Sequence, residues 1–201
     1  MKVLGITGGI GSGKSTMLSY IKNTYKVRVI EADQVGHLLM EEGTSCYDQI
    51  IEHFGTQILN KDKTINRSLL GQIVFEHPSK LQKLNEIIHP QVRQYIQEEI
   101  EKERRKATSS FFVIEAALLI EDHYDEICDE IWYIYASEDV RRKRLIQQRN
   151  YTDEKIDSIL KKQLTEEEFR KHCDFIIDNN NDKSQSAFMQ IDKGLREHEF
   201  M

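Results

Sequence analysis

The chain has 201 residues, of which 39% are hydrophobic and 31% charged, and its formal net charge is −6. A chain of this size and composition predicts one compact globular domain, with room for a small inserted lobe. The acidic balance argues against a dedicated nucleic-acid binder, and no apolar run is long enough to span a bilayer. The first residues pass into glycines before the hydrophobic region of a signal peptide could form, so we expect a cytoplasmic protein.

Five short apolar runs predict buried strands, and helical patterns separate them. The strand candidates cover residues 3–7, 27–30, 111–114, 131–135 and 175–177. Helical patterns cover 15–25, much of 34–75, 78–106, 140–149 and 152–164. Pro90 interrupts the pattern at 78–106, which predicts a kink or two consecutive helices there. Strands that alternate with helices indicate a parallel α/β sheet covered on both faces, and the long helical stretch from about 34 to 106 is the natural place for a substrate lobe.

The first predicted strand leads directly into a complete phosphate-binding loop. Gly8, Gly13, Lys14 and Ser15 satisfy the pattern G-x-x-x-x-G-K-S, with an apolar strand before it and an amphipathic helix after it. Glycines let backbone amides surround phosphate oxygens at a helix N-terminus. Lys14 would reach the β- and γ-phosphates of ATP, and the Ser15 hydroxyl would complete the coordination of Mg²⁺. The predicted nucleotide-binding residues of the loop are Gly9, Ile10, Gly11, Ser12, Gly13, Lys14, Ser15 and Thr16.

The loop alone does not separate a kinase from a GTPase or an ATP-driven motor. A GTPase reads guanine with N-K-x-D, but residues 60–63 end in lysine where the aspartate should stand. Asp33 and Gly36 satisfy D-x-x-G, but this element follows the loop too closely. An apolar strand that ends in Asp-Glu, typical of motors, is absent from the sequence. The short chain and its arginine-rich C-terminal helices therefore favour a kinase of the nucleotide-kinase type.

Two acidic residues follow predicted strands, where the carboxyl edge of a doubly wound sheet holds its ligands. Asp33 follows the second strand and could accept a proton from an attacking hydroxyl or bind Mg²⁺. It could also be the N-cap of the next helix, and the two roles are compatible. Glu115 ends the third strand and predicts a contact with substrate or metal-bound water. His89, with Pro90 and Arg93, predicts a turn near the substrate rather than a general base.

The basic run Arg141 to Arg144 resembles a nucleic-acid patch, but on a helix its four side chains spread around the axis. We interpret the run as the start of a lid whose arginines approach the ATP phosphates, because arginine neutralises charge on a transferring phosphoryl group. A solvated helix face is the alternative for about half of these residues. The lid arginines predicted to bind ATP are Arg144 and Arg149.

These motifs together resemble the dephospho-CoA kinase family of P-loop kinases over essentially the whole chain. The resemblance rests on the loop, on Ala32-Asp33, and on motifs further along the chain. Those are Leu84-Asn85, His89-Pro90-Gln91-Val92, Leu118-Leu119 with Glu121, and Asp174 with Asp178-Asn179. Glu31 replaces the first aspartate of the family's Asp-Ala-Asp, Gly36-His37 replaces a common Ala-Arg pair, and Glu115 and Ala117 replace the usual Asp and Pro.

The resemblance implies a five-stranded parallel sheet with helices on both faces, a helical CoA-binding lobe and a small lid. The expected parts are a core of residues 1–33, 107–136 and 174–201, a lobe at about 34–106 and a lid at about 137–173. The implied reaction is transfer of the ATP γ-phosphoryl group to the ribose 3′-hydroxyl of dephospho-CoA, with Mg²⁺ bound. Catalytic roles are carried over to Asp33, Lys14 and Arg149, and the substrate-binding residues implied are Asp33, His89, Arg93, Glu115 and Leu118.

Two alternatives remain: a kinase for another small acceptor, such as a nucleoside or nucleotide, and a P-loop switch without acceptor chemistry. We expect a monomer or weak homo-oligomer that acts on a small molecule, with no nucleic-acid or membrane partner.

Overall fold

The computed structural model describes residues 1–181 and 183–201, which form two compact units. One unit joins Met1–Ile30 to Lys102–Met201, and the other is Glu31–Glu101. The strands are β1 (Val3–Thr7), β2 (Val27–Glu31), β3 (Phe111–Glu115), β4 (Glu130–Tyr135) and β5 (Phe175–Asp178). The helices are α1 (Lys14–Thr24), α2 (Ala32–Leu39), α3 (Ser45–Phe54), α4 (Arg67–Glu76), α5 (Pro78–Lys106), α6 (Glu138–Arg149), α7 (Asp153–Leu160), α8 (Glu166–His172) and α9 (Gln185–Glu197).

The five strands form one sheet in the order β2-β3-β1-β4-β5. β1 pairs in parallel with β3 and with β4, and β4 pairs in parallel with β5. Parallel neighbours need crossover connections, which the helices provide. This arrangement confirms the predicted α/β fold with a parallel sheet. It also brings the carboxyl ends of β1, β3, β4 and β5 to one edge of the sheet.

The core of the first unit lies on the central strands. β1 and β3 are buried along their whole length, as expected for strands covered on both faces, whose sequences are almost continuously apolar. Trp132 of β4 is fully buried and packs against the rings of Phe175 and Phe200. Gly194 of α9 lies so close to this group that a Cβ there would be 2.8 Å from the Trp132 ring.

The unit of residues 31–101 has a separate apolar core. Its buried members come from α3, α4, α5, the short 3₁₀ turn Thr56–Ile58 and, for Ile65, the connection before α4. They are Cys46, Tyr47, Ile50, Phe54, Ile58, Ile65, Leu70, Val74, Leu84 and Ile87. The helical pattern at 34–75 corresponds to three short helices, α2, α3 and α4, with breaks near Gly43 and Gly55.

Two local expectations were wrong. The pattern at 78–106 forms a single helix that continues through Pro90, so two consecutive helices were wrongly expected there. Leu84, Ile87, Val92 and Ile96 bury one face of this helix and offset the missing amide. The helix expected at 152–164 ends at Leu160. A new helix starts after Thr165, whose side chain and that of Glu168 form a reciprocal capping box.

The three cysteines are reduced, and the helices of the described residues are too short or too polar to cross a membrane. Cys46 is buried, Cys128 and Cys173 are partly buried, and all three are free thiols. Burial raises the pKa of Cys46 to about 11 and those of Cys128 and Cys173 to about 12, so these thiols are poor nucleophiles. In the part of the chain that the structure describes, no helix combines the length and the apolarity needed to cross a membrane.

Candidate active site

The phosphate loop fills the gap between β1 and α1, at the carboxyl edge of the sheet. Gly13 is the N-cap of α1 and has a left-handed backbone (φ 96°), and Gly11 is also left-handed (φ 77°). A Cβ at Gly13 would lie 2.3 Å from Nδ2 of Asn179, so a side chain is excluded there on two grounds. The loop places the amides at the start of α1 in the arrangement that binds phosphate.

Lys14 and Glu115 lie together at this edge. Lys14 Nζ donates a hydrogen bond to the Gly8 carbonyl oxygen at 2.6 Å and lies 3.9 Å from the Glu115 carboxylate. Both side chains are largely buried, with exposed fractions of 13% and 12%. Glu115 ends β3 in register with Ile6 of β1, which explains how the predicted position at the active edge arises. Its predicted contact with substrate stays a prediction.

Arg144 holds the outer side of the loop. Its guanidinium donates to the carbonyl oxygens of Gly11 (3.5 Å) and Ser12 (3.4 Å), and to those of Asn179 (2.8 Å) and Asn181 (3.2 Å). Nδ2 of the buried Asn179 adds a hydrogen bond to the Ser12 carbonyl oxygen at 2.7 Å. Arg144 therefore contacts the loop through carbonyl groups, and its predicted role in binding ATP stays a prediction. Asn179 belongs to a motif seen in the sequence, yet no site role was predicted for it.

Arg141 and Gln163 cover the start of the loop. A Cβ built on Gly9 would lie 2.3 Å from Nη1 of Arg141, and the Ile10 amide donates to Oε1 of Gln163 at 3.1 Å. Among the described residues, the buried Nε of Arg141 has no hydrogen-bond partner. The sequence marked Arg141 only as part of a basic run. It gave no signal for Gln163, which lies 153 residues from its partner.

The other arginines of α6 behave differently. Arg142 pairs with Glu138, Asp153 and Asp157 and so ties α6 to α7. Hydrogen bonds to Asp157 and then to Glu138 raise its pKa. Arg149 is the last residue of α6 and is exposed, and its catalytic role stays a prediction.

In the other unit, Asp33 lies in the first turn of α2. The N-cap of this helix is Glu31, so the interpretation of Asp33 as the N-cap was wrong. Asp33 is exposed to solvent. One turn later, Nε2 of His37 accepts a hydrogen bond from Nη2 of Arg67 at 2.6 Å. Burial and then Arg67 lower the pKa of His37, and Asp33 opposes them.

The remaining predicted substrate contacts lie on α5 and after β3. His89 is partly buried and lies within the continuous helix α5, so the turn expected at this position was wrong. It lines a shallow groove with Leu81, Asn85 and Pro90. Arg93 lies one turn further along and is also partly buried. Leu118 is 42% exposed. The roles of these residues in binding stay predictions.

The loop fits the triphosphate of a nucleotide with its metal. Lys14 contacts the Gly8 carbonyl and Nη1 of Arg141 lies against Gly9, so two cations face the same short segment of the loop. Ser15 is the second residue of α1, and its side chain is exposed. Its hydroxyl is a hard oxygen donor of the kind that Mg²⁺ accepts.

A sequence model of the family described as dephospho-CoA kinase matches residues 2–185. The chain belongs to the dephospho-CoA kinase family. Curated relatives agree with this assignment. The dephospho-CoA kinase of Dehalococcoides mccartyi is 37% identical over 180 residues, covering 90% of this chain and 89% of the relative. That of Streptococcus mutans is 36% identical over 195 residues, covering 97% of this chain and 96% of the relative.

A solved structure extends the likeness to three dimensions. The dephospho-CoA kinase from Campylobacter jejuni superposes with a TM-score of 0.73 at 26% identity and covers 99% of this chain and 100% of that one. The resemblance inferred from the motifs is therefore confirmed over nearly the whole chain.

Proposed function

We propose that this chain transfers the γ-phosphoryl group of ATP to the ribose 3′-hydroxyl of dephospho-CoA and so produces coenzyme A and ADP. The observation that carries the proposal is the complete phosphate loop, with Lys14 held at its base, in a member of the dephospho-CoA kinase family. A kinase for a nucleoside is the less favoured alternative. The expected setting is the cytoplasm, and the expected form is a monomer or weak homo-oligomer.

The loop and its cations bind the nucleotide in this proposal. Lys14 already contacts the loop carbonyl of Gly8, and a phosphate oxygen offers its ammonium a stronger, charged acceptor. The guanidinium of Arg141 lies against Gly9 and neutralises charge that develops on the transferring phosphoryl group. The Ser15 hydroxyl is the side chain that would hold Mg²⁺, and the metal would offset negative charge on the phosphates.

Asp33 prepares the acceptor. Its exposed carboxylate is accessible to a substrate hydroxyl, accepts the hydrogen bond of that hydroxyl and takes its proton as the new O–P bond forms. Residues of about 34–106 would bind the rest of dephospho-CoA, and residues of about 137–173 would act as the lid.

The acceptor is tested by competition. The purified chain is incubated with ATP, Mg²⁺ and an equimolar mixture of dephospho-CoA, adenosine, cytidine and AMP. The products are then separated and identified by mass spectrometry. We expect phosphate to appear on dephospho-CoA. Preferential phosphorylation of a nucleoside or of AMP would overturn the proposed acceptor. Hydrolysis of ATP without a phosphorylated product would point instead to the P-loop switch.

A further inference from the structure

One amide of the phosphate loop is occupied by a side chain from a distant part of the chain. Gln163 lies in the short connection between α7 and α8, and its Oε1 accepts the hydrogen bond of the Ile10 amide at 3.1 Å. The same oxygen would lie 3.3 Å from a Cβ built on Gly9. Gln163 therefore covers two consecutive residues of the loop.

The surroundings of this oxygen resemble those of a bound phosphate. A phosphate oxygen in such a loop accepts from a backbone amide and lies close to a cation. Oε1 of Gln163 accepts from the Ile10 amide, and Nη1 of Arg141 lies against the neighbouring Gly9. The Nε of Arg141 is buried and, within residues 1–181 and 183–201, has no hydrogen-bond partner. A buried guanidinium nitrogen without an acceptor indicates that this place is built to receive one.

The glutamine side chain can serve both states of the loop. Its amide has an oxygen that accepts and a nitrogen that donates two hydrogen bonds. With the loop free, the oxygen satisfies the Ile10 amide. With phosphate on that amide, rotation of the side chain presents the nitrogen to the phosphate oxygens.

We propose that Gln163 is a residue of the phosphate site. Its carbonyl oxygen stands in for a phosphate oxygen before ATP binds, and its amide nitrogen donates to the transferring phosphoryl group afterwards. This inference rests on the proposed function for the identity of the reaction, but its binding step requires only ATP. If Gln163 only attached the α7–α8 connection to the loop, its oxygen would accept from the Ile10 amide, but its nitrogen would not donate to the phosphoryl group.

Two substitutions separate these roles. In Gln163→Glu the carboxylate keeps an acceptor on the Ile10 amide, cannot donate, and repels phosphate. We expect the Kd for ATP to rise about tenfold or more. In Gln163→Ala no side chain must be displaced, so we expect the Kd for ATP to stay within about threefold of the wild type. The donor to the transferring group is lost, so kcat should fall about tenfold or more.

The Kd values are measured by calorimetry with ATP and Mg²⁺ and no acceptor, and kcat in a coupled assay with dephospho-CoA. Gln147→Glu is the matched control, because it makes the same change of charge at an exposed position of α6, and it should leave both values unchanged. Equal weakening of ATP binding by Gln163→Ala and Gln163→Glu would assign the side chain a fastening role and overturn the proposal. So would wild-type ATP binding by Gln163→Glu. Because calorimetry needs no acceptor, these outcomes do not depend on whether dephospho-CoA is the substrate.

Discussion

The phosphate loop and the region of Asp33 are built in opposite ways. The loop is held by hydrogen bonds with residues far away in the sequence, Arg144, Gln163 and Asn179, and these contacts are buried or partly buried. Asp33 is an exposed carboxylate in the first turn of a helix. Groups that are fixed before substrate arrives can stabilise charge without reorganising, whereas an exposed carboxylate is available for proton transfer. Phosphate binding is therefore shared among many groups, whereas the proposed proton abstraction depends on one carboxylate.

The largest expected effect comes from Asp33→Asn. The amide cannot take a proton, so turnover with dephospho-CoA should fall about a hundredfold or more, while the Kd for ATP stays near the wild-type value. Steady-state kinetics and calorimetry measure the two quantities. Asp48→Asn is the matched control, since Asp48 is an exposed residue in the first turn of α3. Near-normal turnover of Asp33→Asn would remove Asp33 from the role of base.

The next effect concerns the loop itself. Gly13→Ala places a Cβ 2.3 Å from Asn179 Nδ2 at a left-handed residue, which should cost about 1–2 kcal/mol of stability from the backbone alone. ATP binding should weaken with it. By contrast, Gly71 of α4 has no neighbour within 4 Å of a built Cβ, so Gly71→Ala should stabilise the chain by about 0.5–1 kcal/mol. Urea unfolding of both variants tests the contrast, and a destabilised Gly71→Ala would contradict it.

A smaller effect is expected from Asn179→Ala. The Ser12 carbonyl loses the donor at 2.7 Å but keeps Arg144 at 3.4 Å, so the loop is loosened rather than collapsed. Removal of one buried hydrogen bond costs about 1–3 kcal/mol, and part of this loss should appear as a Kd for ATP several-fold higher. The KM for dephospho-CoA should not change. An altered KM for dephospho-CoA with unchanged ATP binding would assign Asn179 to acceptor binding rather than to the phosphate loop.

The smallest expected effect is a pH dependence of stability that arises from His37, in the helix that contains Asp33. Burial and Arg67 hold the pKa of His37 below 6.5 in the folded chain. Between that lowered pKa and 6.5, the unfolded chain binds more protons than the folded one, so stability falls as the pH falls through this window. His37→Asn keeps an acceptor for Arg67 and cannot titrate. The free energy of unfolding should therefore decrease more for the wild type than for this variant from about pH 8 to about pH 5, and equal decreases would exclude His37 as the cause.

The sequence predicted the features whose signal is local. The phosphate loop is contiguous, and the buried strands are apolar runs, so their positions along the chain and the parallel sheet followed from the pattern, whereas their order in the sheet was not predicted. Gln163 and Asn179 could not be assigned roles, because their contacts with Ile10 and Ser12 depend on how the chain returns after more than 150 residues. The N-cap role considered for Asp33 is wrong because β2 continues to Glu31 and α2 begins at Ala32. A kink or two consecutive helices were expected at Pro90 because the local cost of proline was visible in the sequence and the buried face of α5 was not.

The place of β1 in the sheet has a consequence for partly unfolded states. β1 is the middle strand, paired with β3 on one side and with β4 on the other. Local opening begins where few contacts are lost, at edges and chain ends, so β2 and β5 can detach while both neighbours of β1 remain. The phosphate loop directly follows β1, which should therefore be the last strand to exchange its amide hydrogens with solvent. A chain frayed at the β2 edge, where the chain leads into Asp33, would keep its hold on ATP longer than its ability to use it, whereas detachment of β5 would also release Asn179 from Ser12.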